Sequence, residues 1–279
     1  MPIGLAKAHS TIGSLLRESG LPRSEAELLL REVLASERVL LLAHEERAVD
    51  PREARAVRDC FARRRSGEPV AYITGRREFY GLELRVTSDV LIPRPETELL
   101  VDLALERIPA GSSDRVLELG TGSGAIAIAL AALRPEASII ATDVSRDALD
   151  LARRNAIRHA VDIDFVESDW FDSLGEGPFD LVVSNPPYVE AGDPHLERGD
   201  VRFEPRRALV GGADGLACIR DIAAGARQRL RPGGRLLLEH GYDQETRCVA
   251  LLRDLGYAEV ADSQDLAGVP RACAAVWRG

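Results

Sequence analysis

Short apolar segments and amphipathic segments alternate along the chain from Asp114 to its end. Consecutive strands separated by helices have the connection that parallel pairing requires, and valine-rich runs are typical of strands buried on both faces. The alternation therefore predicts an α/β fold with a mostly parallel sheet that is covered by helices on both faces. The predicted strands are 116–119, 138–141, 163–166, 179–184 and 235–239, and the predicted helices are 125–133, 145–159 and 216–230, with one more helix and two strands at the end.

The first part of the chain, residues 1–68, shows helical patterns only. Ser24 is of the type that caps a helix, and Asp50 is followed by proline at what would be the first helical position. Beyond this part, alternating apolar residues predict a β-hairpin. We interpret the chain as three parts, namely a helical domain 1–68, a hairpin connector 69–93 and an α/β domain 94–279.

The composition of the chain limits the partners that we expect. Its formal net charge of −9 argues against general, charge-driven binding of nucleic acid. Its four cysteines are widely spaced and its five histidines show no metal-ligand spacing, so we expect a reducing compartment and no metal site. No apolar run approaches the length of a membrane span. These observations predict a cytoplasmic protein without membrane contact.

A glycine-rich loop follows the first strand of the α/β domain and reads Glu118-Leu119-Gly120-Thr121-Gly122-Ser123-Gly124. Glycines let the backbone turn tightly and let a ligand approach the main chain closely. Asp143 closes the second strand, about 20 residues further on, where a carboxylate can accept both hydroxyls of a ribose. The combination predicts a site for a nucleoside cofactor, and the alternative is an ordinary tight turn between a strand and a helix.

The spacing of the glycines and the residue ahead of them narrow the choice of cofactor. A dinucleotide fingerprint reads G-x-G-x-x-G, whereas this loop reads G-x-G-x-G with Glu118 in front. A carboxylate at that point repels a pyrophosphate and favours a cationic group. S-adenosylmethionine offers an adenosine, an amino-acid end and a sulfonium. We therefore expect this cofactor, with Trp170 beside the adenine and Asp169 accepting from its amine; the alternative is that Trp170 belongs to the core.

The fourth strand stops abruptly at Asn185-Pro186-Pro187-Tyr188. The prolines have no N–H and hold the residues before them extended, so main-chain carbonyls are left for other donors. Two acceptors beside an aromatic ring can hold a planar NH2 group, either an amide or the exocyclic amine of a base. The alternative is a Pro-Pro turn that caps the strand. Ligands bind at the carboxyl edge of such sheets, and this motif shares that edge with the cofactor motifs, which favours the binding role.

These motifs resemble those of a known family. The pattern Glu118-x-Gly120-x-Gly122-x-Gly124 together with Asn185-Pro186-Pro187-Tyr188 is similar to that of class I methyltransferases acting on planar NH2 groups. The further stretches at 74–81, 91–98 and 203–205 resemble the HemK group, the peptide chain release factor glutamine methyltransferases. The resemblance covers nearly the whole chain.

The resemblance implies a Rossmann-like class I methyltransferase domain, a small N-terminal helical domain that docks the substrate, and release factors as protein partners. A glutamine in their Gly-Gly-Gln loop would be the target, the enzyme would act as a monomer, and neither direct nucleic-acid binding nor a metal is implied. The implied S-adenosylmethionine contacts are Glu118, Gly120, Thr121, Gly122, Ser123, Gly124, Asp143, Asp169, Trp170 and Asn185. The implied contacts to the substrate glutamine are Asn185, Pro186, Pro187 and Tyr188.

The implied chemistry assigns catalytic roles to Asn185, Pro186 and Tyr188. An amide nitrogen is a poor nucleophile because its lone pair is delocalised into the carbonyl. Acceptance of both N–H groups by the Asn185 side-chain oxygen and the Pro186 carbonyl would concentrate charge on nitrogen and aim it at the methyl carbon. Tyr188 would pack on the amide plane. No strong base is needed, so His240 is expected to be structural.

Other activities remain open at this point. The NPPY motif also serves methyltransferases of the adenine amino group in DNA or RNA, against which the acidic balance counts. Glutamine methylation of a ribosomal protein uses nearly the same motifs. A module that binds the nucleoside cofactor without chemistry is a third possibility, and the intact NPPY motif argues against it.

Overall fold

The computed structural model describes residues 10–36, 38–175 and 177–279, and the chain divides into two compact units, Met1–Gly75 and Arg76–Gly279. The boundary between the units lies inside the segment 69–93 that the sequence analysis interprets as a connector. Residues 69–75 belong to the first unit and the predicted hairpin belongs to the second. The domain limits drawn from the sequence remain a prediction.

The first unit consists of helices around a small apolar core of its own. As predicted, Asp50 caps a helix, because its Oδ1 accepts a hydrogen bond of 2.8 Å from the backbone N–H of Arg52. The prediction for Ser24 is wrong, since the helix already begins at Arg23 after Pro22 and Ser24 lies in its first turn. The helices are α1 (Ile12–Glu18), α2 (Arg23–Leu34), α3 (Arg38–Ala43), α4 (Pro51–Arg65) and α5 (Val70–Thr74).

The second unit begins with a hairpin of β1 (Arg76–Phe79) and β2 (Leu82–Arg85). Its two-residue turn is Tyr80-Gly81, and both residues have positive φ angles, 52° and 75°. Turns of this kind match the right-handed twist of the two strands that they join. Phe79 and Leu84 are buried in the core of this unit, so the hairpin is part of its packing.

The sheet of the second unit has seven strands in the order β5-β4-β3-β6-β7-β9-β8, in which β3 to β7 are parallel and β9 is antiparallel to both neighbours. The mostly parallel sheet predicted from the sequence is thus confirmed. Its strands are β3 (Arg115–Leu119), β4 (Ser138–Asp143), β5 (Asp164–Glu167), β6 (Phe179–Ser184), β7 (Leu230–Glu239), β8 (Ala258–Gln264) and β9 (Pro270–Val276). The helices are α6 (Glu98–Leu105, after a 3-10 turn at Pro95–Thr97), α7 (Ala125–Leu133), α8 (Arg146–Arg158), α9 (Ala217–Ala226) and α10 (Glu245–Asp254).

Both faces of the sheet are buried, because successive residues of one strand enter different cores. Val116 of β3 packs with α6, α7 and the hairpin, whereas Leu117 packs with α9 and α10. In β6, Leu181 and Val183 belong to the same core as Val116, whereas Val182 belongs to the same core as Leu117. Burial on both faces explains why the strand sequences read as continuous apolar runs.

One predicted helix ends earlier than its sequence pattern suggests. The pattern extends to Leu230, but α9 ends at Ala226, and Leu230 pairs with Phe179 as the first residue of β7. The ladder between β6 and β7 then shifts register before it resumes at Leu181 and Arg235, so the predicted Pro-Gly-Gly turn forms an irregularity within β7. A leucine in a buried strand and a leucine on the apolar face of a helix look alike in the sequence. The hydrophobic pattern therefore does not show where α9 ends and β7 begins.

The order of the strands fixes where a ligand can bind. The chain runs outward from β3 through β4 to β5 and then returns to the other side of β3 with β6. Crevices open beyond the carboxyl ends of strands where the order reverses in this way. The loops after β3 and β6 therefore face a common crevice.

None of the described helices is long and apolar enough to cross a membrane.

Candidate active site

Two adjoining cavities lie at the carboxyl ends of the central strands. The first has an empty volume of about 1040 Å³ and is lined by the loop after β3, the end of β4, the segment after β5 and parts of the segments 89–97 and 185–187. The second, of about 890 Å³, is lined by the segment 185–189 and by residues of 193–209. The two linings share Leu91, Arg94, Asn185 and Ala208. Asn185 is thus a residue of both cavities.

Asp143 is held in place by two backbone N–H groups at the wall of the first cavity. Gly122 has a φ of +56° and donates to Oδ2 at 2.9 Å, while Ser145 donates to Oδ1 at 2.8 Å. Burial raises the pKa of Asp143, and the hydrogen bonds from Ser145 and Gly122 oppose that shift. Each carboxylate oxygen keeps accepting capacity, which suits the two hydroxyls of a ribose.

Glu118 is buried at the base of the same cavity and is 2% exposed. Its Oε2 accepts from the Thr121 hydroxyl at 2.6 Å and from the Ala127 backbone N–H at 3.1 Å. Burial raises the pKa of Glu118 to about 8, against the hydrogen bonds from Thr121 and Ala127. A cation in the cavity would favour the ionised carboxylate, whereas a pyrophosphate would oppose it. The site therefore suits a ligand with a positive charge.

The residues of the glycine-rich loop divide between the cavity and the core. Gly120, Thr121, Gly122 and Ser123 line the first cavity. Gly124 is absent from the described residues of that lining and serves as the N-cap of α7 with a φ of +86°. A side chain is strained at this left-handed backbone angle, so the turn into α7 favours glycine there. The contact between Gly124 and the cofactor stays a prediction.

Asp169 and Trp170 lie where the sequence places them, beside the first cavity. Trp170 also packs against the core formed by α9 and α10, so the two alternatives for this ring are compatible. It has an unusual positive φ of 43°. A Cβ on Gly120 would be 3.7 Å from its Cζ3, so the indole lies next to the glycine-rich loop. This placement leaves a flat apolar surface for a base.

The NPPY segment presents its groups to both cavities. Asn185 and Pro187 line the first, whereas Asn185, Pro186 and Tyr188 line the second. The Asn185 Nδ2 donates to the Thr97 hydroxyl oxygen at 3.0 Å, and Oδ1 remains available as an acceptor. The Tyr188 hydroxyl donates to Oε1 of Glu239 at 3.1 Å.

The backbone after the NPPY segment is fixed by hydrogen bonds to the loop before α9 and to the loop between β7 and α10. Gln244 donates from Nε2 to the Tyr188 carbonyl at 2.9 Å, and Val189 exchanges backbone hydrogen bonds with residues 209 and 211. A Cβ at Gly211 would lie 2.4 Å from the Pro187 carbonyl oxygen, so only glycine allows this approach. The motif is therefore part of a rigid support and not a free turn.

Several residues around the site escaped the reasoning from the sequence. Arg94 lines both cavities and donates to Oε2 of buried Glu204 at 2.6 Å. This ion pair joins the stretches 91–98 and 203–205, so the resemblance of those stretches was the available signal. Thr97 lines the first cavity and accepts from Asn185, while Glu239 lies outside both described linings and accepts from Tyr188. Glu239 gave no signal of its own, because it reads as the last residue of a strand.

His240 lies apart from the candidate site, since the described residues lining the two cavities do not include it. It is fully buried, with Nε2 2.6 Å from Oδ2 of Asp262 and Nδ1 2.9 Å from the Gly241 carbonyl. Cys273 brings a third potential metal ligand within 4.8 Å of the other two. Asp262 and the Gly241 carbonyl already provide hydrogen-bond partners for both ring nitrogens, which agrees with a structural role for His240.

Two families of sequences match parts of the chain. Residues 8–75 match the family described as PrmC N-terminal domain, and residues 96–199 match the one described as Methyltransferase small domain. The matched segments lie in the first and the second unit, respectively.

Curated relatives are similar over almost the whole chain. A protein of Bordetella pertussis named release factor glutamine methyltransferase is 49% identical over 258 residues, which cover 92% of this chain and 96% of that protein. The protein of the same name from Burkholderia pseudomallei is 48% identical, with 94% and 95% covered. A crystal structure of a methyltransferase from Pyrococcus furiosus covers 78% of this chain and 97% of its own, with a TM-score of 0.55 and 21% identity. That likeness concerns the fold alone, and it agrees with the Rossmann-like architecture predicted from the sequence.

Proposed function

Because the chain belongs to the family of release factor glutamine methyltransferases, we propose that it transfers a methyl group from S-adenosylmethionine to the side-chain amide nitrogen of a glutamine in a peptide chain release factor. The observation that carries the proposal is the position of Asn185 in the walls of both cavities. One cavity has the groups that suit a nucleoside with a cationic part, and the other opens on two acceptors and an aromatic ring. Asn185 would meet the methyl donor on one side and the amide on the other.

The carboxylates and the indole that line the first cavity would hold the cofactor. Asp143 would accept the ribose hydroxyls, Trp170 would cover the adenine with Asp169 near its amine, and Glu118 would attract the positive charge. The remaining loop residues would offer backbone groups at close approach. When bound, S-adenosylmethionine supplies an electrophilic methyl group on a sulfonium.

The second cavity would prepare the amide for attack. Asn185 Oδ1 and the Pro186 carbonyl would accept the two N–H groups, which concentrates charge on the nitrogen and fixes its direction. Tyr188 would pack on the amide plane. Held in this way, the amide nitrogen would accept the methyl group that the cofactor supplies, with the sulfur of the cofactor as the leaving group, and the methylated amide would then lose a proton to water. No residue of the chain is required as a strong base.

The proposal is tested by measuring transfer of labelled methyl groups to purified release factor, a ribosomal protein and DNA in parallel reactions. We expect label in the release factor, on a glutamine identified by mass spectrometry. Label only in the ribosomal protein or in the adenines of DNA would contradict the proposal and select one of the alternative substrates.

Replacement of Asp143 by alanine should weaken cofactor binding by roughly tenfold to a hundredfold for each ribose contact that is lost. Hydrogen bonds to a charged group are worth about 1.5–3 kcal/mol each, and about 1.4 kcal/mol corresponds to a factor of ten. Titration calorimetry with S-adenosylmethionine measures the change. Asp150→Ala, which removes an equally charged but exposed side chain of α8, is the matched control. Unchanged affinity in Asp143→Ala would refute this assignment.

We also propose that the helical part, residues 1–68 in the sequence-based division, docks the protein substrate. A shortened chain that begins at Arg76, the first residue of the second unit, should still bind S-adenosylmethionine while losing most transfer to an intact release factor. Calorimetry and methyl-transfer assays on the same preparation measure the two properties. Full activity of the shortened chain would exclude the docking role.

We also infer that the enzyme is a monomer and works in the cytoplasm, where release factors act. Sedimentation of the full chain tests whether it is a monomer.

A further inference from the structure

A buried carboxyl group lies directly behind the NPPY segment. Glu239, the last residue of β7, is 2% exposed. Its Oε1 accepts from the Tyr188 hydroxyl at 3.1 Å, while its Oε2 is buried without a hydrogen bond that meets the usual geometric limits among the described residues. A buried carboxyl is costly to keep, so its presence at this position calls for a physical reason.

Thr97 connects this carboxyl to Asn185. Its side chain is buried, its hydroxyl oxygen accepts from Asn185 Nδ2 at 3.0 Å, and the hydroxyl also interacts with the Glu239 carboxyl. A hydroxyl has one proton to donate. Because its oxygen already accepts from Asn185, the proton is available for Glu239. The direction of donation therefore runs from Asn185 through Thr97 to Glu239.

The direction of this chain decides which end of the Asn185 amide meets the substrate. With Nδ2 held by Thr97, Oδ1 is left for the cavities. With the amide turned over, Asn185 would present an NH2 group to the NH2 group of the substrate, and two donors cannot bond to each other. Tyr188 is fixed by the same carboxyl, since burial raises the pKa of Tyr188 and keeps its hydroxyl a donor.

We propose that Thr97 and Glu239 are positioning residues that fix the Asn185 amide with its oxygen toward the substrate and hold the Tyr188 hydroxyl in place. The inference deepens the proposed function and rests on it for the identity of the substrate amide. Neither residue has to touch the substrate, since each acts through a residue that does. The role requires an acceptor at position 239 and a hydroxyl at position 97.

The state of the carboxyl sets the conditions of the test. Burial raises the pKa of Glu239 to about 7, the hydrogen bonds from Thr97 and Tyr188 and the charge of Arg271 oppose the shift, and Glu96 adds to it. Arg94 acts on Tyr188, and His240 is the next residue along the chain from Glu239. Above pH 7 the ionised carboxylate only accepts, so the assays belong at about pH 8.

The decisive comparison is Thr97→Val against Thr97→Ser, because valine keeps the shape and loses the hydroxyl while serine keeps the hydroxyl. We expect Thr97→Val to lower kcat by about tenfold to a hundredfold, less than loss of a direct contact, with little change in KM for release factor. Thr97→Ser should stay within about twofold of the original enzyme. Glu239→Gln offers one acceptor oxygen where the carboxylate offers two, so it cannot accept from both Thr97 and Tyr188 in the same way and should also lower kcat.

A purely structural role predicts a different result. If Thr97→Val keeps kcat within twofold, or if Thr97→Ser loses as much as Thr97→Val, the inference is wrong. A second readout needs no substrate, since the Asn185 side-chain amide protons, identified by their absence in Asn185→Ala, should exchange with solvent faster in Thr97→Val than in Thr97→Ser. Equal exchange in the two variants would overturn the inference. Failure of the unaltered enzyme to methylate release factor would instead contradict the proposed function, and the exchange measurement would still test the inference.

Discussion

A release factor whose target glutamine is replaced by glutamate should receive no methyl group from this enzyme. The site would offer two acceptors, the Asn185 side-chain oxygen and the Pro186 carbonyl, and both need N–H groups on the substrate. A carboxylate has no N–H to donate and meets two acceptors instead. It would also be desolvated without a donor, which costs more than leaving it in water. Mass spectrometry of the tryptic peptide that contains the target residue measures the result.

The unaltered release factor, treated in the same way, is the control for this substrate. Both forms should compete for the enzyme through surfaces outside the target loop, so competition between them shows that the glutamate form is folded and binds. A methyl ester on the glutamate would mean that the enzyme activates an oxygen nucleophile as well. That result would contradict the mechanism in which two acceptors select an NH2 group.

Loss of the Asn185 side chain should depress turnover by about 10²–10³, the usual effect of removing one preorganised polar contact at a reacting centre. Asn185→Ala removes the acceptor that both cavities share and leaves the Thr97 hydroxyl without its donor. The release factor should bind with nearly the same affinity, because most of its contacts would lie elsewhere. Cofactor affinity should fall as well, so turnover is measured at saturating S-adenosylmethionine.

A control substitution just after the NPPY segment removes an exposed charge. It shows whether the loss of turnover is specific to Asn185 or follows from any change near this segment. Glu190 is exposed and its carboxylate lies 3.7 Å from Arg247 on the surface. Glu190→Ala should leave turnover unchanged, because surface ion pairs contribute little to stability. Near-normal turnover in Asn185→Ala would show that Asn185 does not orient the amide. Asn185→Ala should lower turnover more than Thr97→Val does, because Asn185→Ala removes the contact to the substrate amide and Thr97→Val removes only the group that orients it.

The sequence by itself determined the elements that depend on local chemistry. The strand β6, Phe179–Ser184, is found at the predicted residues, because a valine-rich run followed by two prolines has a clear start and end. Ser145, the first residue of the helix predicted over 145–159, caps α8, with its hydroxyl accepting from the Ala148 N–H. The first strand and its glycine-rich loop were equally readable, since tight turns need particular residues. Four of the five predicted loop residues from 120 to 124 line the first cavity.

Local signals failed where two structures share one pattern. The end of α9 and the beginning of β7 differ from the prediction because leucine serves either element, and pairing with Phe179 decides between them. Ser24 is a good cap by type, yet Pro22 is the N-cap, and the helix begins two residues earlier than a cap at Ser24 would allow. Gly124 follows the glycine pattern of the loop, but its φ of +86° shows that the turn into α7 is what favours glycine there.

Only the tertiary structure decided which side chains support the site. Asn185 and Thr97 are 88 residues apart, Tyr188 and Glu239 are 51 apart, and Arg94 and Glu204 are 110 apart. No periodicity within a segment reports such contacts. The contact between Tyr188 and Glu239 forms because the sheet order sets β6 beside β7, so that residues at the ends of these strands become neighbours. The orientation of the Asn185 amide depends on those neighbours and therefore on the complete fold.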